Sequence, residues 1–183
     1  MKLRPNVLYR AKVENVSFGR MTPAELLEVL GSGRMCGVLL EHEIAHIFED
    51  CKTAPAQGDN PDIISEELGD IQAKTWRQEE ESFFKSGPRK GISKWLAKSI
   101  FTTKSGLWDS LKRRKALGED VDKTIREYFD KYDYFMYIDI EQFKMDYTYT
   151  FVVLDTAYVK SVAVDGYIAP QDIMNKIEEE IYV

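Results

Sequence analysis

Long apolar runs are absent from this chain of 183 residues, and with them any helix of the roughly 20 consecutive apolar residues that a bilayer demands. Met1-Lys2-Leu3-Arg4-Pro5 carries no apolar signal segment, which sets the expectation of a cytoplasmic protein with no membrane partner. Cysteine is scarce too. Cys36 and Cys51 are the only two, and they read as unpaired thiols at core or boundary positions in a reducing compartment. Histidine occurs twice, at His42 and His46, so any imidazole chemistry has to come from that pair. Low-complexity segments are missing, and apart from two similar tripeptides there is no internal repeat. What remains is ordinary for a globular protein. With 44% apolar and 31% charged residues, the length suits one domain, 1–183, with a sizeable core.

Positive charge is also short overall, since the net charge is −6, and this argues at first against a nucleic-acid partner. Its distribution points the other way. Between Lys85 and Lys115 stand ten basic residues and one acidic residue, Asp109, so this window carries +9 and the rest of the chain −15. A solvated helix face usually mixes both signs, whereas one segregated block suits a surface for a polyanion. The bland alternative is that the block pairs with the acidic remainder of the chain. Within the window, Lys85-Ser86-Gly87 and Lys104-Ser105-Gly106 place a cation and a hydroxyl beside glycine, where backbone N–H groups can approach a phosphate. Lys112-Arg113-Arg114-Lys115 would contact phosphates without reading bases. Ile92, Trp95, Leu96 and Ile100 make a helical stripe between the tripeptides, with Lys94 and Lys98 off it.

The most informative stretch is 61–76. It reads as two short strands joined by a turn-forming Ser65–Gly69 segment, with Gly69 supplying the backbone freedom and Asp70-Ile71-Gln72-Ala73-Lys74-Thr75-Trp76 as the second strand. Alternation along the second strand sends Ile71, Ala73 and Thr75 to one face and Asp70, Gln72 and Lys74 to the other. Asp62 opens the first strand and can lie beside the polar row. The competing reading is a helix over 65–83 with Ser65 as N-cap, but Leu68, Ile71 and Trp76 make no clean stripe and Gly69 would cost ~1 kcal/mol inside a helix. A third reading is a solvated acidic turn.

A carboxylate, an amide oxygen and an ammonium at one point suit phosphodiester chemistry. Asp62 would hold a hard divalent cation, Gln72 and a neighbouring backbone carbonyl would add oxygens, and Lys74 would orient or deprotonate the attacking water and counter the phosphate charge. Pro61-Asp62, nine residues, and then Gln72-Ala73-Lys74 resembles the PD-(D/E)xK nuclease signature, in the variant where glutamine replaces the second acidic residue, as in some type II restriction endonucleases. Strictly, the likeness covers these positions and no more. It implies an α/β fold with a central mixed β-sheet flanked by helices, restriction-endonuclease-like, and a Mg2+-dependent endonuclease acting on DNA. Asp62 and Gln72 would sit near the metal, Asp70 is a replacement acid for Gln72, and Lys74 would serve the nucleophile. A restriction enzyme or a phage or repair nuclease would carry the same site. A palindromic target would suit a homodimer.

Thr22-Pro23-Ala24-Glu25 is a helix start with a capping box, and Gly31 and Gly33 end that helix. A further helix is expected over Gly37–Cys51, with Leu40, Ile44, Ile47, Phe48 and Cys51 on one stripe. Glu41 falls at the stripe's edge, where the family resemblance implies a carboxylate as fourth catalytic group; an exposed surface glutamate is the plainer reading. The same helix carries His42-Glu43-Ile44-Ala45-His46, a formal HExxH match. His42 and His46 could chelate zinc, with Glu43 activating water and Glu66, Glu67 or Asp70 as third ligand, as in a zinc peptidase. Both imidazoles lie opposite the apolar stripe, however, and this reading leaves the basic window without a role. A non-catalytic DNA-binding protein with a decayed site is the other alternative.

Elsewhere, 7–18 contains a strand, and an acidic helix after Gly118 has Val121, Ile125, Tyr128, Phe129 and Tyr132 as core-like positions. Strands follow over Tyr134–Ile140, Tyr147–Val159 and Ser161–Val164, their aromatics assigned to packing, and a final helix is expected over Ile173–Ile181.

Overall fold

The computed structural model of the chain describes residues 1–14, 19–22, 25–26, 33–55, 60–76, 98–99, 113–140, 143–163, 167–168 and 170–183. In chain order the elements are β1 (Val7–Lys12), α1 (Gly33–Ile47), β2 (Cys51–Thr53), β3 (Ile63–Ser65), β4 (Gly69–Trp76) and β5 (Lys98–Ser99). They continue as α2 (Asp122–Phe129), β6 (Tyr134–Asp139), α3 (Phe143–Asp146), β7 (Thr148–Asp155), α4 (Thr156–Val162), β8 (Tyr167–Ile168), α5 (Pro170–Met174) and β9 (Glu179–Tyr182). A seven-stranded mixed sheet in the order β2-β3-β4-β6-β7-β1-β9 forms the centre, so the protein is α/β as expected. No helix among the described residues is long and apolar enough to cross a membrane.

Two apolar clusters lie on the two faces of this sheet. Ile71 and Ala73 of β4, Met136 and Ile138 of β6 and Phe151 of β7 share one cluster with Cys36, Leu40, Ile44 and Phe48 from the region of α1. The alternate residues Phe135 and Tyr137 of β6 and Val152 and Leu154 of β7 belong to the other, with Val121, Phe129 and Tyr132 from the region of α2 and Val159 of α4. Strand periodicity is what sorts neighbouring residues between the two faces. Aromatic rings lock the first cluster: Tyr9 stacks on Phe151 with centroids 5.0 Å apart and meets Phe48 edge-on.

The β3–β4 hairpin is present, and strand geometry running to Trp76 excludes the helix over 65–83. Its turn is built by three devices. Ser65 Oγ accepts the backbone N–H groups of Glu67 (3.2 Å) and Leu68 (3.0 Å) while donating to Asp50 Oδ2 (2.8 Å). Gly69 has φ +84°, and a Cβ there would lie 2.3 Å from Asp133 Oδ2. That carboxylate accepts Asp70 N–H at 2.9 Å, and Asp133 N–H returns a bond to Asp70 O, so the hairpin is clamped to the start of β6. Buried Asp50 also accepts Leu3 N–H at 3.0 Å, tying the N-terminal segment to the turn.

Elsewhere the boundaries move. The expected Gly37–Cys51 helix begins at Gly33 and ends at Ile47, because Cys51 enters β2 and pairs with Ser65. The Thr22–Glu25 capping box forms as read, with Glu25 Oε2 accepting Thr22 N–H at 2.8 Å. The strand expected over Tyr147–Val159 stops at Asp155, whose side chain caps α4 by accepting Tyr158 N–H; α4 then occupies part of the stretch read as a strand over Ser161–Val164. The final helix over Ile173–Ile181 is replaced by the short α5 and by β9, which pairs in parallel with β1. Glu179 and Glu180 there meet Arg4 and Arg10. An unpaired β1 edge is a stronger template than the local helical preference. Lys98–Ser99, expected in a helix, pairs with Tyr167–Ile168 instead.

Candidate active site

Asp62 sits one residue before β3, where that strand stops covering β4. Its Oδ2 accepts Ala73 N–H at 2.8 Å, standing in for the ladder partner that β3 no longer provides. The same oxygen accepts the side-chain amide of Gln72. Gln72 Nε2 also lies 3.5 Å from Ala73 O. Asp62, Gln72 and the Ala73 backbone therefore meet at one edge of β4, as the hairpin reading requires.

Lys74 follows on the same strand face as Gln72. Only 3% of it is exposed, and its Nζ has no hydrogen-bond partner among the described residues. The amine lies 5.9 Å from the ring centroid of Tyr128, a residue of α2. Burial lowers its pKa to about 8, against the opposing fields of Asp62 and Glu41. Burial likewise raises the Asp62 carboxyl above its ordinary value, while Lys74, Ala73 N–H and Gln72 pull it back. Desolvation thus outweighs mutual attraction for both groups, which would be ordinary ion partners in water.

Glu41 comes from α1, half-buried, and is one of the two carboxylates whose field reaches Lys74. It thus belongs to the neighbourhood of the amine. Asp70 does not join that field. It lies at the turn end of β4, opposite Ile64, with its backbone clamped to Asp133.

His42 and His46 are exposed on α1, and His42 Nδ1 lies 3.5 Å from Thr53 Oγ1. Among the described residues, no three His, Cys, Asp or Glu side chains come together to hold a metal. Of the residues assigned to DNA, Lys85, Ser86, Lys104, Ser105 and Lys112 lie outside the described residues. Arg113 is exposed, whereas Arg114 is half-buried, its Nε donating to Glu119 at 2.8 Å and its Nη1 to Thr124 at 3.4 Å.

Two residues near Lys74 escaped the sequence reading, which assigned them to packing alone: Tyr128, and Tyr137, whose buried hydroxyl also has no hydrogen-bond partner among the described residues. Tyr137 is paired in parallel register with Lys74. A parallel pairing between strands separated by some sixty residues leaves no local periodic signal.

The fold and this cluster together define an α/β protein whose seven-stranded mixed sheet carries a buried amide and a buried amine on one strand, with a half-buried acid beside them at the mouth of the next. Set against known proteins, the chain gives no match to a family model, to a curated protein or to a solved structure.

Proposed function

We propose that the protein is a Mg2+-dependent DNA endonuclease hydrolysing phosphodiester bonds, with a PD-(D/E)xK-like site in which Gln72 stands at the second acidic position. The observation carrying this reading is the Lys74 amine, which is buried, without a hydrogen-bond partner among the described residues, and lowered to a pKa of about 8 beside Asp62 and Gln72. An amine in that range can take a proton from an attacking water near neutral pH, and in its charged form it can steady the negative phosphate. Asp62 and Gln72 offer the oxygen chemistry a hard cation takes, with the Ala73 carbonyl beside them, and Mg2+ retains several waters, so few protein donors suffice. Asp62 Oδ1 accepts no hydrogen bond from a described residue, and turning the Gln72 amide over would present Oε1 in place of Nε2. Bound there, Mg2+ would supply charge neutralisation at the scissile phosphate. Glu41 would be a supporting carboxylate. The basic segment 85–115 would hold the DNA backbone, and a palindromic target would call for a homodimer.

A second reading has one observation in its favour. Gln72 already satisfies Asp62 through its amide nitrogen, so the cluster could be a structural lock in a non-catalytic DNA-binding protein. Plasmid incubated with the protein and Mg2+, then with EDTA, and then with the Lys74→Ala variant separates the two. Cutting that is lost in both controls is the expected result. Intact plasmid throughout, with DNA still retained on the protein, would replace the nuclease by the binding protein. Bound zinc that disappears in His46→Ala would move the search to the two imidazoles instead.

A further inference from the structure

We propose that Tyr137 is a positioning residue of this site, its hydroxyl and the Lys74 amine together holding one buried water molecule on the α2 side of the sheet. Among the described residues, Lys74 Nζ and Tyr137 Oη are two of the buried polar atoms without a hydrogen-bond partner, and they belong to residues paired directly across β4 and β6. Neighbouring strands run about 4.8 Å apart, so two long side chains at one register level share the same space above the sheet. Tyr128 neighbours both. Its ring lies 5.9 Å from Lys74 Nζ, and after burial it is the influence that pushes the Tyr137 hydroxyl well above the ordinary tyrosine range.

The alternative to a shared partner is two desolvated polar groups from register-paired residues, each carrying the cost of a lost hydrogen bond. An ammonium has only donors to offer, and a phenol can donate or accept. A direct bond would satisfy one pair of sites, but neither atom makes one. Water answers both, accepting from the amine and exchanging a hydrogen bond with the hydroxyl, within the two to four polar partners a buried water takes. Held in this way, the water and Tyr137 would fix the direction of the Lys74 stem. The consequence for cleavage rests on the endonuclease reading; the shared water does not.

The test is a double-mutant cycle by urea denaturation, using Tyr137→Phe, Lys74→Met and both together, with circular dichroism to verify the fold. Tyr137→Phe should lower the urea midpoint when Lys74 is present and leave it unchanged or higher in the Lys74→Met background. An equal shift in both backgrounds would overturn the shared water, as would a midpoint that fails to fall when Lys74 is present. Neither DNA nor metal enters that measurement, so it stands apart from the fate of the nuclease reading. On plasmid, Tyr137→Phe should lower kcat roughly three- to tenfold with KM unchanged. An unaltered kcat would overturn the positioning role. A parent protein that cuts nothing would remove that role together with the reaction, and leave the water to the denaturation cycle.

Discussion

Replacing Lys74 by methionine removes a buried charge while keeping a flexible stem in the strand, and the structure predicts a more stable protein, which on the proposed endonuclease reading would also be inactive. Holding the amine at about 8 against its ordinary 10.5 amounts to about 3 kcal/mol of folding free energy when the group is charged in both states. The folded pKa is the lower one. Between about pH 8 and 10.5 the unfolded chain therefore binds more protons at this site, and the parent protein gains stability as pH rises through that window. Below pH 8 the full penalty is present. At pH 7 Lys74→Met should exceed the parent by up to about 3 kcal/mol, trimmed by what Asp62 loses when a neighbouring cation disappears. At pH 9.5 the advantage should shrink by about 2 kcal/mol. Urea denaturation of both proteins at the two pH values measures the difference directly. A variant less stable than the parent at pH 7, or a gap that does not change with pH, would refute the claim that desolvation dominates at Lys74.

The remaining predictions concern the frame around the site. Gly69→Ala places a side chain at φ +84° and drives its Cβ into the Asp133 carboxylate, so thermal melting should reveal a loss of about 1–3 kcal/mol; an unchanged midpoint would show that the clamp contributes nothing. Asp50→Ala strips the partners of Leu3 N–H and Ser65 Oγ inside the protein, and denaturation should register about 2–4 kcal/mol. Cys36 and Cys51 are both pushed up to about 12 by burial, so a thiol reagent at pH 8 should label neither in the folded protein and both in urea. Rapid labelling of the native protein would contradict that burial.

The hairpin, its turn at Gly69 and the convergence of Asp62 with Gln72 were legible from local signals: a glycine where a positive φ is needed, and alternation with a period of two. The capping box at Thr22 and Glu25, strand β6 and the core positions of α2 were readable for the same reason, since each is specified within one or two turns or pleats of the chain. The C-terminal strand was not. Glu178-Glu179-Glu180-Ile181 reads equally well as an acidic helix until the open edge of β1 and its arginines are alongside. Asp155 likewise ends β7 through a cap that competes with a strand-forming sequence on both sides.

For the site, the chain alone specified which residue types stand on one face of β4. Whether Lys74 is wet or dry depended on what covers that face, and this came from Tyr128 on α2 and from a parallel partner strand far along the sequence. Burial is a property of the packed molecule. It turned what would be an ordinary surface cation into a desolvated amine near a pKa of about 8, because only tertiary packing can withdraw bulk water from a charge that its own neighbours in the chain leave exposed.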